Sequence, residues 1–437
     1  MRPSRRLLLM ASAIGVLSLF VLALPDLPPV LIPAVWAILA VVAAADAVTI
    51  PPARLQSLSV SAPGEVFVGE TAPIAFQLIP SGPRRPRAAE ISARLAWPEG
   101  LKGPADFRLR PVADRFSAEI EVRGRRRGDW PLGALYVLRR GRLGLVESVA
   151  RNRCEAHVKV VPNVRSVTSG EIDLQIASGT FGERAAAMRG EGSEFHQLRE
   201  FVYGMDPRTI DYKRSARHGA LVAREMRTER NHNIILALDN GHLMREQVRG
   251  LAKIDHMINA ALALAWAGIQ GGDLVGLYAF DARPRLFLPP SGGRPTFARL
   301  RSQTAALSYR SVESNPTLAM THLSQRLARR SLVVVFSDFV DTTTAELLLE
   351  NVQMLNRHHV VVFVSLRDPL LEDYTRRSAR DLAEVAESVA AAGLSRERRL
   401  VLERLMRLGV FVIDTAPGGL TTSLISAYLT IRARELI

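Results

Sequence analysis

The second half of the chain alternates short apolar segments with helix-forming ones, and this alternation constrains the fold more than any other feature. The apolar segments include NIILALD at 233–239, SLVVVFSDF at 331–339 and VVVFVSL at 360–366. Continuous runs of Val, Ile and Leu are typical of strands that are covered on both faces. Because helical segments lie between these strands, residues 232–437 are predicted to form a doubly wound, mostly parallel α/β sheet.

Residues 51–164 show a different pattern, in which short alternating segments end in Gly or Pro. The segments are SLSVSAP, EVFVGE, APIAFQLIP, EISARLAWP, FSAEIEVRG, ALYVLRRG and HVKVVP. Alternation of apolar and polar residues over such lengths predicts half-buried strands. Since no helical segment lies between them, we expect a β-sandwich-like domain.

Two apolar runs open the chain. Leu7–Leu24 is uncharged and has roughly the length that spans a hydrocarbon core, and Leu31–Val48 contains only one charged residue, Asp46. The Pro-rich segment Pro25–Pro29 separates the two runs, so residues 1–50 are predicted to form a transmembrane helical hairpin. A secretory signal peptide is the alternative, but a polar mature sequence and a small-residue cleavage site would then be expected.

Basic residues give this hairpin an orientation. Arg2, Arg5 and Arg6 precede the first run and Arg54 follows the second, whereas the turn carries only Asp26. The positive-inside rule then places both ends of the hairpin in the cytoplasm. We therefore expect two spans in a bacterial inner membrane, with the soluble domains on the cytoplasmic side.

The chain is strongly basic, with a formal net charge of +14. Part of the excess lies in short runs, such as 84–87 and 123–127, that lack interleaved aromatic residues for base stacking. This pattern favours proximity to an anionic membrane surface, and we expect no nucleic acid partner. The single cysteine, Cys154, excludes an intramolecular disulfide and a Cys-based metal site, which fits a reducing compartment.

Two of the predicted parallel strands end in aspartate, at Asp239 and Asp338. In open α/β sheets, ligands bind beyond the carboxyl ends of the strands. Two neighbouring carboxylates there could hold a hard divalent cation through oxygen ligands. The alternative, which the spacing alone favours, is that each aspartate caps the turn after its strand.

Common catalytic motifs are missing from the sequence. It contains no P-loop, no G-x-S-x-G elbow and no H-E-x-x-H pair. No segment brings together a nucleophile, a base and a group that orients the base. The sequence therefore predicts a protein that is not an enzyme.

Residues 165–231 form a connector in which charged and aromatic residues surround a Gly-x-Asp-Pro turn. The aromatic residues around the turn, within residues 192–230, are Phe195, Phe201, Tyr203 and Tyr212. The charged residues around the turn include Arg199, Asp206, Arg208, Asp211, Lys213, Arg214 and Arg217. Arg–carboxylate pairs in such a set can fix a segment against a domain face, and aromatic side chains favour burial. We predict that the connector is a packed latch and that the solvated charged loop is the weaker alternative.

The connector resembles the signature of domain-of-unknown-function family 58, a run close to G-x-E-F-x-x-L-R-E-Y-x-x-G-D-D-x-R-x-I-D-W-K-x-x-A-R. The matching residues are Gly192, Glu194, Phe195, Leu198, Arg199, Glu200, Gly204, Asp206, Arg208, Ile210, Asp211, Lys213, Ala216 and Arg217. Phe201 stands in place of the family's Tyr, Met205 replaces the first Asp and Tyr212 replaces the Trp. The apolar hairpin, the GRRRGDW and GRLGL segments and SLVVVFSDF also resemble the family, so the resemblance covers nearly the whole chain.

The resemblance implies a von Willebrand factor A-like α/β domain and a protein that works with a MoxR-type AAA+ ATPase in assembling or maturing other proteins. Domains of this type often hold a metal ion through D-x-S-x-S, a Thr and a second Asp. Asp239 and Asp338 match the two Asp positions, Thr317 lies near the Thr position, and Gly241 and Leu243 replace both Ser residues. Because hard ions need several oxygen ligands, we predict a degenerate, unoccupied site that binds Mg²⁺ weakly at most.

Two functions stay open on the sequence alone. The favoured one is a membrane-anchored, non-catalytic scaffold or adaptor that works with the ATPase and an unidentified client protein. The alternative is a metal-dependent hydrolase that uses Asp239 and Asp338. The two differ in whether a stoichiometric divalent ion binds, and the missing hydroxyl ligands and missing base favour the adaptor.

Overall fold

The computed structural model of the chain divides into two compact units, Met1–Val161 and Pro162–Ile437. The residues that it describes are 1–22, 30–50, 56–80, 91–170, 194–203, 205–227, 231–339, 342–376 and 381–437. The expected turn at 25–29, Arg54, the basic run at 84–87, Gly192 and Gly204 lie outside the described residues, as does the side chain of Phe195.

The N-terminal unit begins with a two-residue strand, β1 (Arg2–Pro3), and two helices, α1 (Arg5–Leu22) and α2 (Leu31–Val48). The helices coincide with the two apolar runs, and the Trp36 indole donates a hydrogen bond of 3.3 Å from α2 to Ser18 Oγ on α1. In the described part of the chain, no helix is at once long enough and apolar enough to cross a membrane.

The rest of this unit is β-rich, as predicted, and every predicted strand segment contains a strand. The strands are β2 (Gln56–Ser61), β3 (Glu65–Phe67), β4 (Thr71–Pro80), β5 (Ile91–Leu95), β6 (Leu101–Lys102), β7 (Asp106–Val112), β8 (Arg115–Gly124), β9 (Gly128–Pro131), β10 (Leu135–Arg140), β11 (Val146–Asn152) and β12 (His157–Val161). One sheet has the order β1-β11-β10-β5-β7-β8-β4-β2, with β6 paired to β8, and a smaller sheet has the order β3-β12-β9. Since alternate side chains of a strand point to one face, Ile74, Phe76 and Leu78 of β4 are all buried in the core.

The C-terminal unit starts with the connector, which has more regular structure than its sequence suggests. It contains α3 (Arg165–Thr168), β13 (Glu194–Glu200), α4 (Tyr212–His218) and β14 (Val222–Arg227). Strands β13 and β14 form an antiparallel pair, in which Arg199 lies opposite Ala223. Helix α4 therefore lies within the connection between two paired strands.

A six-stranded sheet forms the core of the α/β domain, with the order β19-β18-β15-β20-β21-β22. These strands are β15 (Asn233–Asp239), β18 (Leu274–Phe280), β19 (Pro284–Ser291), β20 (Ser331–Phe336), β21 (Val360–Leu366) and β22 (Phe411–Thr415), and β16 (Gln247–Val248) and β17 (Leu251–Ala252) form a separate short pair. All neighbours in the large sheet are parallel except β19, which runs antiparallel to β18 at the edge.

Helices cover both faces of this sheet. They are α5 (Lys253–Gln270), α6 (Arg294–Ala305), α7 (Pro316–Arg326), α8 (Thr342–Asn356), α9 (Pro369–Arg376), α10 (Leu382–Arg407) and α11 (Leu420–Ala433). One core cluster joins Ile235 and Val333 of the sheet to Met320, Val352 and Leu405 of α7, α8 and α10. Helices α5 and α11 contact each other, and α5 contacts β15 and β18. The doubly wound α/β fold predicted from the sequence is confirmed.

Candidate functional site

The two strand-end aspartates meet at the point where the strand order of the sheet reverses. The chain passes from β15 outward to β18 and β19, and then returns to β20 on the other side of β15. Strands β15 and β20 are parallel neighbours, with Leu238 opposite Phe336, so Asp239 and Asp338 follow adjacent strands. This switch point is the usual position of a ligand crevice in an open α/β sheet.

Asp239 is buried and is held by three hydrogen bonds. Its Oδ2 accepts a bond of 2.6 Å from the Ser337 hydroxyl. Its Oδ1 accepts a bond of 2.9 Å from the backbone N–H of Gly241 and another from the Ser314 hydroxyl. Burial raises the pKa of Asp239 above its ordinary value, and the charge of Asp338 adds to this rise, while the three hydrogen bonds oppose it.

Ser314 explains why a glycine occupies the first Ser position of the metal motif. A Cβ atom at Gly241 would collide with the Ser314 hydroxyl and lie 3.2 Å from Asp239 Oδ1. The φ angle of Gly241 is −78°, which any residue can adopt, so the constraint is space rather than backbone conformation. Sequence reasoning missed Ser314, because no strand or motif marks it. Thr317, the expected hydroxyl, accepts a hydrogen bond from Asn351 instead.

Asp338 is buried between two cations. Lys253 Nζ lies 2.6 Å from its Oδ2, and Arg398 Nη1 lies 2.7 Å from its Oδ1. Oδ1 also accepts hydrogen bonds from Ser365 Oγ at 3.1 Å and from the Phe339 backbone at 3.0 Å. Burial alone would raise the pKa of Asp338, but Arg398 and Lys253 outweigh this effect and hold the pKa below its ordinary value.

These contacts belong to a longer series of alternating charges that crosses the carboxyl edge of the sheet. Its ion pairs are Lys253–Glu246 at 2.5 Å, Arg398–Asp414 at 3.0 Å, Arg367–Asp414 at 3.1 Å and Arg367–Glu372 at 3.2 Å. We call Glu246, Lys253, Asp338, Arg398, Asp414, Arg367 and Glu372 the carboxyl-edge ion chain. Because Lys253 opens α5 and Arg398 lies on α10, the ion chain fastens two helices to the end of the sheet.

The side chains at this edge do not fit a divalent metal centre. Both oxygens of Asp338 face a protein cation, and a metal ion would have to displace Lys253 or Arg398 or be repelled by them. Both oxygens of Asp239 already accept hydrogen bonds, and the two hydroxyls near it donate to it. In the part of the chain that the structure describes, no group of three or more His, Cys, Asp or Glu residues is placed to hold a metal.

In the connector, the acidic residues of the signature act as caps. Asp206 accepts a hydrogen bond of 3.0 Å from the Arg208 N–H at the start of a short 3₁₀ turn. Asp211 accepts one of 3.1 Å from the Arg214 N–H at the start of α4. Arg224 of β14 also approaches this carboxylate, with its Nε 3.9 Å from Asp211 Oδ2. The sequence predicted the importance of both aspartates but not this local role.

A buried serine forms hydrogen bonds to two other segments of the connector. Ser215 Oγ donates a hydrogen bond of 2.8 Å to the Asp211 carbonyl and accepts one of 2.9 Å from the Val222 N–H. Helix α4 is thereby tied to the first residue of β14. Sequence reasoning missed Ser215, because a single serine within a helix carries no periodic signal.

The basic residues of the signature lie on the surface. Arg199, Arg208, Lys213 and Arg217 are exposed, and no described acidic side chain forms an ion pair with any of them. Tyr203 and Tyr212 are also strongly exposed, so the side chains that were expected to pack within the protein face solvent. Among the described residues, the connector is held by local hydrogen bonds of Ser215 and the two aspartate caps, and not by ion pairs of Arg199 or Arg217.

Residues 197–376 match the profile of the family described as protein of unknown function DUF58. This segment belongs to the DUF58 family. The segment runs from β13 to the end of α9, and therefore includes about half of the connector, together with Asp239 and Asp338. The resemblance predicted from the sequence is confirmed over the segment. No curated protein sequence matches the chain.

Solved structures that are similar to part of the chain include the following three. The first is an aerotolerance-related membrane protein from Bacteroides fragilis with multiple mutations to serine, and its sequence is 12% identical. The similarity covers 47% of this chain and 100% of that chain, with a TM-score of 0.32. A conserved hypothetical protein, BatB from Bacteroides thetaiotaomicron, is 14% identical, with the same coverage and a TM-score of 0.32. The SpRpn10 VWA domain is 12% identical, with coverage of 45% and 94% and a TM-score of 0.25.

Proposed function

We propose that this protein is a membrane-anchored, non-catalytic adaptor whose DUF58 segment docks a partner protein without a metal ion. The observation that carries the proposal is the position of Asp338 between Lys253 and Arg398. A carboxylate with a lowered pKa and two cation partners is a poor base and a poor metal ligand. The ion pairs of Asp338 therefore hold α5 and α10 against the carboxyl edge of the sheet.

The hydrolase alternative lacks a workable set of groups at the same edge. The Ser314 and Ser337 hydroxyls both donate to Asp239, and no histidine of the described residues is hydrogen-bonded to either serine. A serine nucleophile needs a base that takes its proton and a group that orients the base. Asp239 could act only as the base, and both of its oxygens already accept hydrogen bonds. These groups therefore do not support a hydrolytic mechanism.

The connector offers the surface that a partner would bind. Arg199, Arg208, Lys213 and Arg217 give it positive charge, and Tyr203 lies exposed nearby in sequence. Arginine and tyrosine are enriched in the residues that dominate protein interfaces. Positive charge of this kind favours and steers an acidic partner. Following the family resemblance, we assign this partner as a MoxR-type AAA+ ATPase, which acts with the adaptor on a client protein.

Exposed apolar side chains on α1 and α2 support anchoring in a membrane. Leu9, Val16, Phe20 and Ile38 are each well over half exposed, and similar residues surround them. Monomeric soluble proteins rarely expose large contiguous apolar patches. We propose that both ends of this helical hairpin face the cytoplasm, so that the β-rich domain and the α/β domain lie on the cytoplasmic side of the inner membrane.

Binding of the chain in nanodiscs to the MoxR-type ATPase of the same organism tests the proposal. We expect Kd to be unchanged by EDTA and weakened at least tenfold in an Arg208→Glu, Arg217→Glu double variant. Arg329→Glu is the matched control, because Arg329 is exposed and lies outside the connector; it should bind normally. Loss of binding in EDTA, or equal binding by the double variant and the control, would contradict the proposal.

A further inference from the structure

The loop 141–145 of the N-terminal unit is fastened to both apolar helices. The Asp46 carboxylate, near the end of α2, accepts hydrogen bonds from the backbone N–H groups of Leu143 at 2.7 Å and Leu145 at 2.8 Å. Ser4, just before α1, donates its N–H to the Leu145 carbonyl at 2.9 Å and its hydroxyl to the Gly144 carbonyl at 2.6 Å. The single acidic residue of the second apolar run thus serves to hold this loop at the base of the helices.

The fastening gives the loop one fixed conformation. The Gly141 N–H donates to the Val146 carbonyl and the Gly144 N–H donates to the Gly141 carbonyl, both at 3.0 Å. A Cβ atom at Gly141 would collide with the Asp46 carboxylate, and Gly144 has a φ of +71°, which favours glycine. The two glycines therefore allow the loop backbone to approach the Asp46 carboxylate closely.

A leucine projects from this closed loop into solvent. Leu143 is 55% exposed although its backbone N–H is fixed by Asp46. Its neighbour Arg142 is exposed as well. An apolar side chain beside an arginine, on a loop at the base of two apolar helices, suits the boundary between lipid headgroups and acyl chains.

Arginines surround the loop. Arg2, Arg5, Arg6, Arg140 and Arg142 are all exposed. Glu147 forms ion pairs with Arg2 at 3.2 Å and Arg140 at 3.0 Å. Within the described part of the chain, no acidic side chain forms an ion pair with Arg5, Arg6 or Arg142. Three cations therefore have their charge available for an external anion.

We propose that the loop 141–145 is a membrane-interface element, in which Leu143 enters the headgroup region and Arg5, Arg6 and Arg142 bind the phosphates of anionic lipids. This inference rests on the proposed membrane anchoring, because α1 starts at Arg5 and α2 ends close to Asp46. If the two helices enter the lipid, the loop lies at the level where they emerge. Basic residues at that level are attracted to anionic headgroups.

Fluorescence quenching in nanodiscs tests the position of the loop. The full chain, with Cys154→Ser as background, carries a single bimane label at Leu143→Cys, at Arg153→Cys or at Phe20→Cys. Arg153 is the matched control, because it is exposed and β11 separates it from the loop by about 20 Å. Phe20, exposed on α1, reports whether the helices enter the lipid at all.

We expect a headgroup-proximal nitroxide lipid to quench the label at position 143 more than twofold and to leave the label at position 153 unchanged. Quenching at position 20 without quenching at position 143 would overturn the loop proposal and leave the anchoring intact. Absence of quenching at both positions would overturn the anchoring, and with it this inference.

Lipid selectivity tests the arginines. In nanodiscs of equal parts phosphatidylcholine and phosphatidylglycerol, spin-labelled phosphatidylglycerol should associate with the chain several-fold more than spin-labelled phosphatidylcholine. The triple variant Arg5→Gln, Arg6→Gln, Arg142→Gln should lose this preference, whereas Arg108→Gln in β7 should keep it. If the triple variant prefers phosphatidylglycerol as strongly as the natural chain does, the assignment to lipid headgroups is wrong. The same holds if inorganic phosphate abolishes the preference of the natural chain.

Discussion

Replacing Asp338 by asparagine is the most informative single change in the α/β domain. The substitution keeps the shape of the side chain and removes the charge that Lys253 and Arg398 share. The side chains of these two cations are only 10% and 17% exposed, so water cannot replace the lost carboxylate. Breaking a buried ion pair by removing one partner costs about 3–5 kcal/mol.

The expected cost lies at the lower end of this range. Lys253 keeps Glu246 at 2.5 Å and Arg398 keeps Asp414 at 3.0 Å, so neither cation is left without a counter-charge. We therefore expect Asp338→Asn to lower the free energy of unfolding of the α/β domain by about 3 kcal/mol. Since about 1.4 kcal/mol corresponds to a factor of ten, the slowest amides of β20 should exchange hydrogen about 100-fold faster.

Hydrogen exchange of the full chain, followed by mass spectrometry, measures this effect, and Asp239→Asn is the matched control. Asp239 follows the neighbouring strand and is equally buried, but its partners are hydroxyls and an amide, and its pKa is raised. Loss of its charge should cost about 1 kcal/mol or less. If the two asparagine variants exchange at equal rates, the reasoning about the carboxyl-edge ion chain is wrong.

Three further predictions concern the same unit. Gly241→Ala should lower Tm by several degrees, corresponding to about 1–3 kcal/mol, because its Cβ collides with the Ser314 hydroxyl. The additional change Ser314→Gly removes the collision but also the hydrogen bond that Ser314 donates to Asp239, so it should restore only part of the loss. A Gly241→Ala variant with the Tm of the natural chain would refute the steric argument. Ser215→Ala should lower the free energy of unfolding by about 1–2 kcal/mol, because it removes two partly buried hydrogen bonds. Arg217→Ala, on the exposed face of α4, should change it by about 0.5 kcal/mol or less. Thermal melting of both variants checks this order, and a larger loss in Arg217→Ala would contradict it. The pKa of Asp338 is lowered in the folded state, so its ion pairs stabilise the fold above the unfolded-state value of about 3.9, and this contribution is lost as the pH falls through the lower folded-state value. The stability gap between the natural chain and Asp338→Asn should therefore narrow steadily as the pH falls below about 3.9. A gap that stays constant or widens over this range would contradict the prediction.

Much of the fold could be predicted from local pattern. The α/β alternation and the period-two strands give a strong signal because each depends on which face of an element is buried. The elements that were missed have weak or interrupted patterns. Strand β19 contains two consecutive prolines in PRLFLPPS, which an edge strand tolerates, and no residue of helix α9 is buried.

The site shows the limit of this reasoning. Strand ends placed Asp239 and Asp338 correctly, because parallel strands bring their carboxyl ends to one edge. The partners of Asp338 come from positions 253 and 398, which no local pattern connects to position 338. The same holds for Asp46, whose partners lie about a hundred residues away in the loop 141–145. Long-range polar contacts depend on the assembled fold, and a single sequence carries no trace of them.

In the connector, the sequence predicted the wrong surroundings for some of the signature residues. Capping by Asp206 and Asp211 follows from their position before helical turns. The expectation that Tyr203 and Tyr212 are buried does not agree with their exposure in the structure. An aromatic residue at a binding surface and one in a core look the same in the sequence, so only the fold distinguishes the two cases.

Titration calorimetry with Mg²⁺ and Mn²⁺ on the purified full chain tests the central claim most directly. The claim is that Lys253 and Arg398 neutralise Asp338, so that the carboxyl edge of the sheet works without a metal ion. We predict no one-to-one site with micromolar affinity for either ion. A stoichiometric micromolar site that Asp239→Ala abolishes would contradict the account.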